Sequence, residues 1–193
     1  MNEIIPRWEW RTFAREIETR IDLAAHPQTR HVESSEIYLA SPTAEGNSKI
    51  RDDKIDIKIL QQRSDDGLEQ WKPALKASFP LSADQVAEVY RALNLAAPPG
   101  AGDCDLEALL RMVDQDERAW VVHVGKVRDL YDVDGCIVEA SRVTFDGEAF
   151  QTVAAEDPDP AKVRATVARL GLEGQDNISY LAAIQRIKAG RLT

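Results

Sequence analysis

The chain lacks the residues that most redox and zinc chemistry needs. Its two cysteines, Cys104 and Cys136, are too few for a disulfide framework and have no metal-ligand spacing. His26, His31 and His123 are scattered, none at helical spacing from a second strong ligand, which argues against a zinc site or a histidine-based nucleophile. Basic excess is missing too: 24 Lys and Arg stand against 33 Asp and Glu, a net charge of -9. General binders of nucleic acid or membrane surfaces normally show a broad positive face, so both classes are disfavoured. No window approaches the roughly 18 apolar residues of a membrane helix. The opening Met1 to Trp10 has no basic region followed by an apolar run, so no signal peptide is expected and a cytoplasmic location is.

What the chain does have is alternation. Its 193 residues, 44% apolar, suit one sizeable domain, expected to span 1–193. Strands are expected at about 7–12, 32–39, 48–51, 55–62, 68–76, 120–131, 136–143 and 148–156. Turn signals link them in two meanders, with Asp52-Asp53-Lys54 and Asp65-Asp66-Gly67 in the first, and Asp134-Gly135 and Asp146-Gly147 in the second. Phe13, Ile17, Ile21 and Ala25 recur every fourth residue, which predicts a helix over about 13–25. Further helices are expected at about 83–95, opened by the capping box Ser82 to Gln85, and at 106–113, 160–170 and 178–188. The run Pro98-Pro99-Gly100-Ala101-Gly102 stops the first of these. Asp159-Pro160 and Gly171 read as the start and stop of the helix at 160–170. Eight antiparallel strands can close on themselves and remove exposed edges, with the helices packed outside. The expected class is α+β, an eight-stranded antiparallel β-barrel or tunnel with flanking helices.

Strand residues i and i+2 share a face. Arg7, Glu9 and Arg11, then Lys49 and Arg51, then Lys126 and Arg128 therefore form charged rows. Such faces either look at solvent or close around a cavity that holds an anion. Guanidinium and ammonium groups bind phosphate oxygens through charge-assisted hydrogen bonds, so Arg11, Lys49, Arg51, Lys58, Lys126 and Arg128 are candidate substrate-binding residues. Carboxylates on the same walls make sense if Mg²⁺ or Mn²⁺ links them to phosphate, which nominates Glu9, Glu139 and Glu156, with Glu69 a possible fourth. Glu69 could also orient a water as the catalytic residue. A slip of one residue in register would turn every one of these side chains outward.

The order Glu9-x-Arg11, Lys49-x-Arg51, Lys58, Glu69, Lys126-x-Arg128, Glu139 and Glu156 resembles the CYTH, or triphosphate tunnel metalloenzyme, superfamily over nearly the whole chain. The stretch from Ala155-Glu156-Asp157-Pro158-Asp159-Pro160 through Leu170-Gly171-Leu172 to Ser179-Tyr180 looks like the end of such a domain. The resemblance implies an eight-stranded tunnel in which the basic residues hold a triphosphate and the glutamates a divalent metal. Class IV adenylyl cyclases, thiamine triphosphatases and inorganic triphosphatases belong to that superfamily. This chain departs from its Glu-x-Glu-x-Lys opening, reading Arg7-Trp8-Glu9-Trp10-Arg11, and from its late Glu-x-Glu, reading Ala154-Ala155-Glu156. A metal-dependent triphosphatase acting on a phosphate-rich small molecule or polyphosphate is thus weighed against a non-catalytic polyanion- or nucleotide-binding module with a degenerate metal site, and against a ligand-free scaffold barrel. A cyclase is the weaker enzymatic reading, because no pocket for adenine and ribose is legible. A homo-oligomer is left open.

Overall fold

The computed structural model describes residues 6–98 and 103–192. The eight strands are β1 (Trp8–Ala14), β2 (Gln28–Ala40), β3 (Gly46–Arg51), β4 (Lys54–Arg63), β5 (Glu69–Ser78), β6 (Trp120–Val133), β7 (Cys136–Phe145) and β8 (Glu148–Asp157). They form one closed antiparallel barrel in the order β1-β5-β4-β3-β2-β6-β7-β8. The two meanders, β2 to β5 and β6 to β8, join along the long β2–β6 ladder, which runs from Gln28 opposite Tyr131 to Ala40 opposite Trp120. Strand β1 closes the ring between β8 and β5. Its ladder with β8 covers its whole length, whereas with β5 only Trp8 and Glu9 find partners, Gln70 and Glu69.

The hairpins follow from their turn residues. Asp52 and Asp53 both have positive φ, as do Asp134 with Gly135 and Asp146 with Gly147. Two successive left-handed residues match the right-handed strand twist, and Asp and Gly tolerate that conformation best. Helices α1 (Ala83–Ala92), α2 (Leu106–Asp114), α3 (Pro160–Leu170) and α4 (Tyr180–Lys188) lie where periodicity places them. Ser82 and Gln85 form the reciprocal capping box, Pro160 opens α3 behind its Asp159 cap, and Gly171 ends it in the left-handed region. Residues 99–102 of the proline- and glycine-rich loop lie outside the described residues. No helix among the described residues is long and apolar enough to cross a membrane.

The helix expected over 13–25 does not form. Strand β1 runs on to Ala14 because Arg11, Thr12, Phe13 and Ala14 pair in register with Ala154, Val153, Thr152 and Gln151 of β8. The four-residue stripe is split: Phe13 enters the aromatic core, while Ile17 and Ile21 pack with the cluster beneath α3. The Gln151 side chain accepts from the Ile17 amide at 2.8 Å, and the Leu170 carbonyl accepts from Arg20 N at 2.8 Å. Only a 3-10 turn, Leu23–Ala25 capped by Asp22, is helical. A short isolated helix is marginal in water, and a strand ladder with tertiary partners outcompetes it.

Two apolar clusters hold the barrel. One contains Trp10, Leu68, Val138, Val153 and Ala155 beneath Val163, Val167 and Leu170 of α3, on the outer wall. The other joins α1, α2 and α4 to the strands through Tyr38, Ile55, Val86, Val89, Leu109, Phe145 and Ile184. Both cysteines are free and buried, as expected of packing residues. At Gly46 the approach of α1 to β3 leaves no room for a side chain, since a Cβ there would stand 2.5 Å from Ala92 Cβ. Gly46→Ala is therefore expected to cost about 1–3 kcal/mol through overpacking, read as a lower urea midpoint with an unchanged slope. An unchanged midpoint would mean that α1 does not seat on β3 at this point.

Candidate functional site

Alternation turns one row of each strand inward. Glu9 and Arg11 of β1, Tyr38 of β2, Asn47 and Lys49 of β3, Asp56 and Lys58 of β4, Trp71 of β5, Lys126 and Arg128 of β6, Glu139 of β7 and Glu156 of β8 all line one cavity, with Ser179 and Tyr180. The register agrees: Lys49 faces Tyr38 on one side and Asp56 on the other, Asn47 faces Lys58, and Glu9 faces Glu156. Strands from every part of the chain thus contribute to a lumen of about 160 Å³.

One end of that lumen is filled by the first residue of α4. The Tyr180 ring stacks on Tyr38 of β2 at 5.5 Å and meets Phe13 of β1 edge-on at 5.0 Å, with Phe145 of β7 at 6.2 Å. A ring touching three walls at once is inside the barrel, so α4 does not merely pack outside as the flanking-helix expectation had it. Above the ring sit two cations, Lys126 Nζ at 3.7 Å and the Arg11 guanidinium carbon at 5.0 Å from its centroid. Asn177, just before α4, mends the short β1–β5 seam. Its side chain accepts from Arg11 N at 2.8 Å and donates to the carbonyls of Glu9 at 3.3 Å and Gly67 at 2.7 Å.

Charge in the lumen is balanced rather than simply basic. Five cations and four carboxylates line it, and a further carboxylate, Glu36 of β2, lies behind them with a fully buried side chain. Glu36 takes Lys126 Nζ at 2.7 Å, Arg51 Nη1 at 3.3 Å and, more loosely, Lys49 Nζ at 3.9 Å. Burial opposes its charge, but Lys126 and Lys49 outweigh burial and hold its carboxyl down at about 2. Lys126 also reaches Tyr38 Oη at 2.8 Å. Burial among other cations pushes its ammonium down to about 7, with Glu36 limiting the fall.

Arg11 is the second hub. It is 4% exposed, and its Nε donates to Glu9 Oε1 at 2.8 Å while Nη1 donates to Glu139 Oε1 at 3.0 Å and Thr152 Oγ1 at 3.3 Å. Ser141 Oγ donates to the same Glu139 oxygen at 2.9 Å. Burial works against the Glu139 charge, yet Arg11 keeps its carboxyl below the usual range. Glu156 goes the other way: burial raises it, and the neighbouring Glu9 carboxylate raises it further. Its cationic neighbour in the ion-pair sense is Arg7, at 3.7 Å.

The sequence-derived site is thus brought together with two exceptions. Arg11, Lys49, Lys58, Lys126, Arg128, Glu9, Glu139 and Glu156 share the lumen. Glu69 does not line it. It is held by Arg63 Nη2 at 2.5 Å and Trp71 Nε1 at 3.1 Å and lines a neighbouring cavity of about 730 Å³ between β4, β5, α1 and α4, which shares Trp71 and Ser179 with the lumen. Glu69 pairs directly with Glu9 across the β1–β5 ladder and shares the face of Trp71, so it has the parity of a lumen residue, and its carboxylate is drawn aside by Arg63. Arg51 also stays outside the lining, its side chain 41% exposed at the end of β3. Glu36, Tyr38, Asn47, Asp56 and Tyr180 were not anticipated. Asp56 was legible, since Lys54, Asp56 and Lys58 alternate with Ile55, Ile57 and Ile59, whereas nothing in the helical periodicity marks Tyr180 as a lumen residue.

The expected metal ligands do not fit Mg²⁺ or Mn²⁺ in this arrangement. Such ions take several oxygens at 2.0–2.2 Å, roughly, but the Arg11 guanidinium already bridges Glu9 and Glu139. Among the described residues no group of three His, Cys, Asp or Glu side chains stands in metal-holding geometry.

No protein-family model matches the chain, and no curated protein does. Solved structures do. HpAC1 from Hippeastrum, named as a candidate adenylyl cyclase with a dominant triphosphatase activity, superposes with a TM-score of 0.52 at 13% identity, over 97% of each chain. The fold is that of the CYTH-like tunnel. A conserved hypothetical protein from Pyrococcus furiosus (TM-score 0.46, 14% identity, 91% of this chain and 98% of that one) and an adenylate cyclase candidate from Bacillus halodurans (0.45, 11%, 92% and 96%) also align.

Two outcomes test this CYTH-like interior. Glu36→Gln strands the buried Lys126 ammonium, at a cost of about 3 kcal/mol; for a domain this size that is on the order of 10 °C in Tm. The same change removes a carboxylate that competes for Lys126, so any affinity of the lumen for a polyanion such as tripolyphosphate should rise as stability falls. A variant that loses both would contradict a balanced lumen. Second, Lys126 loses its proton as pH rises through about 7, so anion affinity should fall from pH 6 to pH 9. One charge-assisted hydrogen bond is worth about 1.5–3 kcal/mol, roughly ten- to hundredfold. Lys126→Arg, which stays charged, should flatten that profile in titration calorimetry with the same buffers and ligand.

Proposed function

We propose that the lumen binds a compact phosphate-rich anion, tripolyphosphate or a short polyphosphate chain. The observation that carries this reading is the pair of cations that the carboxylates leave over. Lys58 and Arg128 line the cavity with no ion-pair partner among the described residues, and Arg128 Nε is buried with no acceptor. A buried donor without a partner is costly, and an anionic oxygen at that point would repay it. Charge-assisted bonds from guanidinium and ammonium groups on several walls suit a ligand with acceptors on every side.

Size narrows the class further. A lumen of about 160 Å³ corresponds to about five water volumes, below the roughly 300 Å³ at which pockets begin to enclose drug-sized molecules. It has room for phosphoryl groups and not for an enclosed nucleoside. The triphosphatase activity named for HpAC1, which shares the fold, supports a phosphate-rich ligand. Binding is better supported than hydrolysis, because Glu69, the residue expected to orient water, lies outside the lumen and the other glutamates are engaged by arginine.

Thermal unfolding with tripolyphosphate tests the proposal, with sulfate at matched ionic strength as control and released phosphate measured in the same samples. At about 100 times Kd, ligand linkage adds about 2.7 kcal/mol, or roughly 5–10 °C here. Arg128→Gln should abolish most of that rise. An equal rise with sulfate, or a full rise in the Arg128 variant, would overturn the assignment.

A further inference from the structure

We infer that the Arg11 guanidinium is the resident cation of this lumen, standing where the carboxylates would otherwise hold a divalent ion. Three glutamates approach one another on adjacent strands. Glu9 and Glu156 are direct partners across the β1–β8 ladder. Glu139 pairs with Ala154, two residues before Glu156 on the same face of β8. Direct partners place their Cβ atoms about 5 Å apart and diagonal ones about 7–8 Å, within reach of a common ion by glutamate side chains. Three carboxylates crowded in a protein interior need positive charge among them. Arg11 supplies it through two separate nitrogens, one to Glu9 at 2.8 Å and one to Glu139 at 3.0 Å. The guanidinium is itself fixed at both ends. Its Nη1 also meets Thr152, and the backbone of Arg11 is clamped by Asn177 Oδ1 on its amide and by the Ile178 amide on its carbonyl at 2.6 Å. Arg7 serves Glu156 from the rim at 3.7 Å. A planar, always-protonated group on a rigid strand is a permanent cation, with none of the exchange that a metal allows.

Two consequences follow. Anion binding, as proposed above, proceeds without a divalent metal; and removing the guanidinium turns the three glutamates into a cation site that the native chain lacks. The second does not depend on anion binding and can be measured alone. Manganese is titrated calorimetrically into the native protein, Arg11→Met and Arg11→Met/Glu139→Gln, with circular dichroism and thermal unfolding to establish that each is folded. The native protein should bind Mn²⁺ at least about a hundredfold more weakly than Arg11→Met, and the added Glu139→Gln should reverse the gain. Tripolyphosphate binding to the native protein should be the same within about twofold with EDTA present. Stoichiometric Mn²⁺ binding by the native protein that Glu139→Gln abolishes would overturn the inference, and so would a folded Arg11→Met that gains no Mn²⁺ affinity. If Arg11→Met does not fold, the native Mn²⁺ titration with and without Glu139→Gln decides it: saturable, Glu139-dependent binding refutes, and none upholds. Absence of tripolyphosphate binding in either buffer would count against the proposed function alone, leaving the Mn²⁺ result to decide this one.

Discussion

A charge taken out of water must be compensated where it sits, and the interior of this barrel is arranged around that constraint. Cations and carboxylates are interspersed on its inward faces, so that Lys126 rests on Glu36 and Arg11 on Glu9 and Glu139. Either partner alone would cost several kcal/mol in the lumen. Together they let a polar interior persist inside an apolar wall. The partnered cations form the walls, and Lys58 and Arg128, left without ion-pair partners among the described residues, are the positive charges on which the proposed anion binding rests.

The same constraint explains why the site differs from the simplest picture of a basic tunnel. A uniformly cationic cavity would repel itself before any ligand arrived. Glu36 prevents this by serving three cations from a completely buried position. On the proposed reading, selectivity would arise from competition: an incoming anion must offer more to the cations than the resident carboxylates do, which favours a multiply charged phosphate chain over chloride or sulfate.

Much of this was legible from alternation. The eight strands, their turns and the convergence of Arg11, Lys49, Lys58, Lys126, Arg128, Glu9, Glu139 and Glu156 follow from a period of two with Asp-rich turns. What period alone could not supply was tertiary. The stripe at Phe13, Ile17, Ile21 and Ala25 mimics a helix, but β8 offers β1 a longer ladder than the local pattern reveals. Glu69 shares the parity of a lumen residue, opposite Glu9, and its carboxylate is drawn aside by Arg63 and Trp71. Tyr180 opens a helix, and only the packing of that helix across the barrel mouth shows that its ring belongs to the lumen. The Arg11 bridge between two carboxylates is likewise a property of three strands, not of any one.

The residues from Asn177 to Tyr180 carry two duties within one turn of chain. Asn177 stitches the short seam between β1 and the turn before β5, and Tyr180 stoppers the lumen beside it. Depth and closure of the barrel are consequently one mechanical unit. Withdrawing the stopper to lengthen the lumen pulls on the stitch, so the cavity cannot deepen without loosening its own hoop.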